Sequence, residues 1–159
     1  PLDVPDARPP PPVPGAIPLP PAAPTEAPVY RPPNPPVQWV HVGSGQSTSS
    51  ATFVDVTGAS VSIKLPYGGY ILCESDVSWN APTDGPTAGF RLVIASQNGD
   101  ETLDNASGTE IGSLGLNLLS SSLLAAGTYT CKLQYRKAAG GGTVVMNHCD
   151  LWAMSTILS

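Results

Sequence analysis

The stretch "TYTCKLQYR" (residues 128–136) decides the fold. Tyr129, Cys131, Leu133 and Tyr135 fall on one side of an extended chain and Lys132, Gln134 and Arg136 on the other, the period of two that belongs to a half-buried strand. "GFRLVIAS" (89–96) repeats the pattern, with Phe90, Leu92 and Ile94 opposite Arg91. Two such stretches imply a sheet with one buried side.

Further β-branched and aromatic runs lie at 37–42 ("VQWVHV"), 51–57, 60–65, 69–79 ("GYILCESDVSW"), 114–120 and 143–157. Between them, "VTGAS" around Gly58, "PYGGY" at 66–70, "QNGDE" at 97–101 and "AAGGGT" at 138–143 supply residues that tolerate positive φ. The run "AGGG" at 139–142 opens no helix and lacks the Lys and Ser or Thr of a phosphate loop, so it reads as a hairpin tip. No 11-residue window carries a helical stripe. Eight or so strands at these spacings predict an all-β fold, an antiparallel β-sandwich of jelly-roll type.

Composition divides the chain. Of the 19 prolines, 16 fall in residues 1–36, which leaves 123 of the 159 residues as a folding unit, 37–159. A domain of that size buries roughly 65% of the surface its unfolded chain exposes and needs no metal or disulfide staple. In the arm, proline fixes φ near the polyproline value and holds each preceding residue extended, so "ARPPPPVPGAIPLPPAAP" (7–24) can form neither a helix nor a central strand. At ~3.1 Å per residue an extended arm of this length reaches roughly 110 Å. Its apolar residues follow no helix or strand period, so they build no core of their own. Val13, Ile17, Leu19, Val29 and Tyr30 are expected to anchor the arm in pockets along another protein. A disordered linker and a ligand for proline-reading domains are the alternatives.

The net charge is -5, with no basic cluster, which argues against direct nucleic-acid binding. Charged residues make up 12%, about half the ~25% of an average soluble protein. A surface so poor in charge suits a chain that hides part of itself in an assembly. No apolar run reaches 18 residues, and no charged region precedes an apolar stretch at the N-terminus, so neither a membrane span nor a signal peptide is expected. A chain starting at Pro1 is what removal of an initiator Met leaves, which favours synthesis and assembly in a cytosol, a tag or leader cut off before Pro1 being the alternative.

Candidate chemistry is sparse. Cys73, Cys131 and Cys149 are too few and too far apart for a zinc site and read as buried free thiols, a Cys131–Cys149 bridge between neighbouring strands being the alternative. Asp100, Glu101 and Asp104, with Asn98 and Asn105, offer oxygen ligands without the spacing of a calcium loop, so a solvated loop is expected. His41 and His148 lie in predicted strands, and no Ser or Cys occupies a nucleophile turn, so no catalysis and no cofactor are expected. "NAS" at 105–107 matches a glycosylation acceptor by chance.

The order "SVSIKLPYGGYILCESDVSW", "GFRLVIASQNG", "LLAAGTYTCKLQYR" and "MNHCDLWAMSTI" resembles the tumour-necrosis-factor and complement-globular-head jelly rolls, and modules on phage fibre tips and capsids. The resemblance covers residues 51–157. It implies a homotrimer, with Tyr67, Tyr70, Tyr135 and Trp152 as candidates to face the threefold axis. It also implies a structural virion protein of a tailed phage, a capsid decoration or head-fibre protein exposed on the particle and held by its arm to the major capsid protein or another virion subunit. The alternative is a tail-fibre tip that binds a host surface polymer through the 79–89 loop, with Trp79, Asn80 and Asp84 as contacts. A secreted ligand would need an export signal or stalk, and a polysaccharide-cleaving enzyme would need carboxylates converging in a groove.

Overall fold

A computed structural model of the chain describes residues 37–43, 45–82, 85–105 and 111–156. Ten strands follow one another with no helix among the described residues: β1 (Val37–Val42), β2 (Gln46–Thr48), β3 (Val54–Leu65), β4 (Tyr70–Asn80), β5 (Thr87–Ile94), β6 (Gln97–Asn98), β7 (Thr102–Asn105), β8 (Ile111–Leu119), β9 (Gly127–Ala139) and β10 (Val144–Thr156). All pairings are antiparallel. The front sheet runs β1-β10-β4-β8, with β2 also on β10, and the back sheet runs β3-β9-β5-β6, with β7 also on β5. The two sheets form the expected all-β sandwich. Its long strands mostly change sheet at each connection, the winding of a jelly roll.

The period-two reading explains the core. Phe90, Leu92 and Ile94 from β5 and Cys131, Leu133 and Tyr135 from β9 point inward and meet Ile71, Val77 and Trp79 of β4 and Leu151 of β10, all buried. Each large apolar side chain so buried contributes about 1.5–3 kcal/mol. Two irregularities change which residues face in. In β3 the register shifts between Asp55 and Ser60, so Val56 and Ala59, three apart, are both buried. In β10 it shifts between Met146 and His148, so Met146 and Cys149 are both buried while His148 turns out.

Several expectations are corrected. The runs 51–57 and 60–65 belong to one strand: Gly58, with φ 84, absorbs the irregularity inside β3 and makes no turn. The "QNGDE" turn lies two residues earlier. Ile94 pairs with Gln97 around Ala95 and Ser96, and Ala95 carries φ 54, while Gln97 and Asn98 already form β6. The glycines after Ala139 are no hairpin tip, because β9 and β10 belong to different sheets and the segment crosses between them. Gly140 and Gly142, at φ 78 and 66, make that crossing. For the same reason Cys131 and Cys149 are not on paired strands. All three cysteines are free and buried. Contact with the Cys131 thiol, together with burial, pushes the Cys73 thiol upward, and burial beside Asp150 pushes Cys149 up to about 11. Cys73 and Cys149 are thus protonated core thiols at neutral pH.

Candidate functional site

The outer face of the front sheet is assembled from alternate residues of its four long strands, and register places them in cross-strand rows. Val37, Met154, Leu72 and Leu119 form the first; Trp39, Trp152, Glu74 and Asn117 the second; His41, Asp150, Asp76 and Gly115 the third. Trp39 is 64% exposed, Leu119 52% and Val37 51%. Leu72, Trp152 and Met154 are half-buried by their neighbours. An apolar row and a tryptophan row thus lie open side by side, contiguous rather than scattered.

The third row is polar. His41 Nδ1 lies 2.8 Å from Asp150 Oδ1, and the His148 ring stacks on His41 with centroids 6.2 Å apart. This places both imidazoles on the outer face, away from the buried thiols. Beside them Glu74, Ser75, Asp76, Gly115, Leu116, Asn117 and Trp152 line an open groove of about 340 Å³. The charge of the two sheets is unequal. All five basic residues of 37–159 stand on back-sheet strands: Lys64 on β3, Arg91 on β5, and Lys132, Arg136 and Lys137 on β9. The front strands carry only the acids Glu74, Asp76 and Asp150.

The back sheet's outer face ties several of its polar groups to one another. Asp55 accepts from Lys132 Nζ at 2.8 Å and Gln134 Nε2 at 2.6 Å. Arg91 Nε donates to Gln134 Oε1 at 2.8 Å. Arg136 holds both oxygens of Glu101 at 2.7 Å, and its guanidinium, with that of Arg91, covers the Phe53 ring.

The candidate residues distribute unevenly over this frame. Trp152 belongs to the exposed rows, Tyr70 is half-buried at the start of β4, and Tyr67 is exposed in the β3–β4 connection. Tyr135 does not face outward. It sits in its own core on the inward side of β9 with Cys131 and Leu133, and burial pushes its phenol up.

Trp79 is likewise no loop contact. It ends β4 fully buried, 5.9 Å from Phe90 between ring centroids, and its Nε1 donates to Asp104 Oδ2 at 2.8 Å. Gly112 stands against the indole, where any Cβ would overlap it. Asn80 closes β4 with its Oδ1 buried and without a hydrogen-bond partner among the described residues. Asp84 and the arm residues Val13, Ile17, Leu19, Val29 and Tyr30 lie outside the described residues, as do Ala106 and Ser107 of "NAS".

Of the acidic run, Glu101 is engaged by Arg136, and Asp104 by Trp79 and the Asn105 amide, while Asp100 is exposed. Sequence reasoning missed Trp39 and the rows it belongs to. The available signal was parity, since Trp39 shares its side of β1 with Val37 and His41.

No protein-family model matches the sequence, and no curated protein matches it. Among solved structures the chain is similar to one of infectious bursal disease virus, Gt strain, at 9% identity and a TM-score of 0.51, over 76% of this chain and 33% of that one. Vertex protein P5 of PRD1 matches at 12% identity and a TM-score of 0.49, over 77% and 96%. Eiger TNF from S. frugiperda matches at 14% identity and 0.42, over 78% and 95%. The chain also spans only 13% of the chain of latent PorU from Porphyromonas gingivalis. What is shared with the bursal disease virus structure is the fold: a two-sheet antiparallel sandwich.

Proposed function

We propose that this chain is a structural protein of a virion, a capsid decoration or head-fibre protein of a tailed phage. Its β-sandwich associates as a homotrimer through the outer face of the front sheet, and residues 1–36 bind the major capsid protein or another virion subunit. The protein stands on the particle surface and performs no catalysis. The observation that carries the reading is the contrast between the faces: the back sheet ties Asp55 to Lys132 and Glu101 to Arg136, whereas the front sheet exposes Val37, Trp39 and Leu119 in rows with Leu72, Trp152 and Met154. Closing three such faces on one another removes apolar surface that a lone domain leaves wet. A virion structural role also fits the fold shared with the bursal disease virus structure. Three arms on one trimer would bind with high effective concentration, so no single contact is indispensable.

A second reading, a tail-fibre tip that recognises a host surface polymer, is favoured by the groove beside Trp152. Its carboxylates, amide and indole are groups that bind sugars. The readings differ in what the face does, because a trimer covers the groove and a receptor module leaves it open. Sedimentation of the full chain at low concentration is expected to report three chains, and a monomer there would overturn the trimeric head. Deleting residues 1–36 is expected to abolish particle attachment, and normal occupancy would overturn the anchor.

A further inference from the structure

We propose that β8 pairs edge to edge with β8 of a second copy of this chain, antiparallel, about a twofold axis perpendicular to the sheet that passes between the two copies of Gly115. The pairing would join two front sheets into one continuous sheet. It stands on the strand itself and does not rest on the trimer.

β8 ends the front sheet, and among the described residues its only ladder partner is β4. It is nine residues long, "IGSLGLNLL", without a charge or a proline. Such an edge offers a row of unpaired backbone donors and acceptors, and sheet proteins ordinarily blunt it with charge, bulge or brevity. The other edges here are blunted. β3 carries Asp55, Lys64 and a register irregularity, while β6 and β7 have two and four residues. β1 is six residues long and shares its side of β10 with β2.

The sequence of β8 is complementary to itself in one register. Centred on Gly115, antiparallel pairing sets Ile111 opposite Leu119, Ser113 opposite Asn117 and Leu114 opposite Leu116. Ile111 and Leu119 are 68% and 52% exposed on the outer face, and each would gain an apolar neighbour. Ser113 and Asn117 on the same face would gain a polar one. A centre at 114 sets Ile111 against Asn117, and a centre at 116 sets Leu119 against Ser113, so both neighbouring registers mix apolar with polar. On the inner side, an open groove of about 390 Å³ runs along β8, lined by Leu92, Thr102, Leu116 and Leu118 among others. The second copy's β8 would cover it along that edge, with its own Leu116 kept in its own core.

The geometry makes a sharp test. In this register residue 115 faces itself, at an antiparallel Cα separation of about 4.5–5.5 Å, inside the range a disulfide spans. A Cβ at 115 meets only Asp76 Oδ1, at 3.5 Å, so Gly115→Cys fits, and the native thiols are buried. The full-length variant, checked for native circular dichroism and oxidised mildly, is expected to form a covalent dimer about tenfold faster than Ser62→Cys on the exposed face of β3. A mixture of Ser113→Cys and Asn117→Cys is expected to cross-link between the two variants and in neither alone. In the unmodified chain, amide exchange across Ile111–Leu119 is expected to slow as concentration raises the mass. Cross-linking of Gly115→Cys no faster than the β3 control overturns the pairing. So does exchange in β8 that ignores a rise in mass, and a trimer giving either result leaves the proposed function intact.

Discussion

The outer faces of the two sheets follow the same alternation and end in opposite states. On the back sheet, Asp55 is held by Lys132 and Gln134, Glu101 by Arg136, and Phe53 lies under two guanidinium groups. Those groups have their polar partners on their own chain and gain little from a second molecule. On the front sheet, Trp39 stands 64% exposed in line with Trp152, next to an apolar row, and no Lys or Arg breaks the surface. Both faces obey the rule that alternate residues point away from the core. What differs is whether the outward set can satisfy itself, and that difference, more than total hydrophobicity, marks where another surface belongs.

The comparison breaks most directly if charge is placed on the front face. Trp39→Lys with Trp152→Lys would set ammonium groups in the tryptophan row, where buried aromatic anchors dominate association energies. Self-association of the full chain is expected to weaken about 100-fold or more, read as a concentration-dependent fall in mass by sedimentation. The fold is expected to persist, since Trp39 projects from the surface and Trp152 is only half-buried. Undiminished association would show that the front face is not the contact.

Much of this was legible in the sequence, and parity is the reason. β1, β4, β5, β9 and β10 stand within about three residues of their expected positions, because burial on one side writes a period of two into each. The same parity, carried to the strand end, places Trp79 with Ile71, Cys73 and Val77 inside, although its neighbours Asn80 and Pro82 read as loop. Tyr135 follows Cys131 and Leu133 inward in the same way. The short strands were illegible for another cause. β6 and β7 lie in "QNGDETLDN", where pairing with β5, rather than any hydrophobic pattern, defines the strand. Nor does local sequence tell whether a glycine turn joins partners in one sheet or crosses to the other: "PYGGY" and "AAGGGT" both cross, and only the strand order reveals it.

On the back face a substitution should act on folding and leave assembly alone. Arg136→Ala removes the paired hydrogen bonds to Glu101, a bond from Nη1 to the Ala51 carbonyl at 3.1 Å, and part of the cover over Phe53. The melting temperature is expected to fall by a few degrees while the sedimenting mass stays that of the parent. A change in mass with unchanged melting would reverse the roles assigned to the two faces.

The smallest effect tests the same self-sufficiency by acid. Hydrogen bonds from Lys132 and Gln134 hold the Asp55 carboxyl below its ordinary value of 3.8. A carboxyl depressed by folding stabilises the native state above its unfolded pKa, and the contribution is lost as pH falls through the lower folded value. Its side chain is 53% exposed, so solvent screening limits the contribution to about 0.2–1 kcal/mol. Denaturant titrations of the parent and of Asp55→Asn are therefore expected to differ at pH 6 and to converge only as pH falls below the ordinary 3.8 and through the lower folded value, where the parent carboxylate takes up its proton. A constant gap across that range would mean that Asp55 acts by shape and hydrogen bonding alone. The back face would then be held by packing around Phe53 rather than by its paired charges.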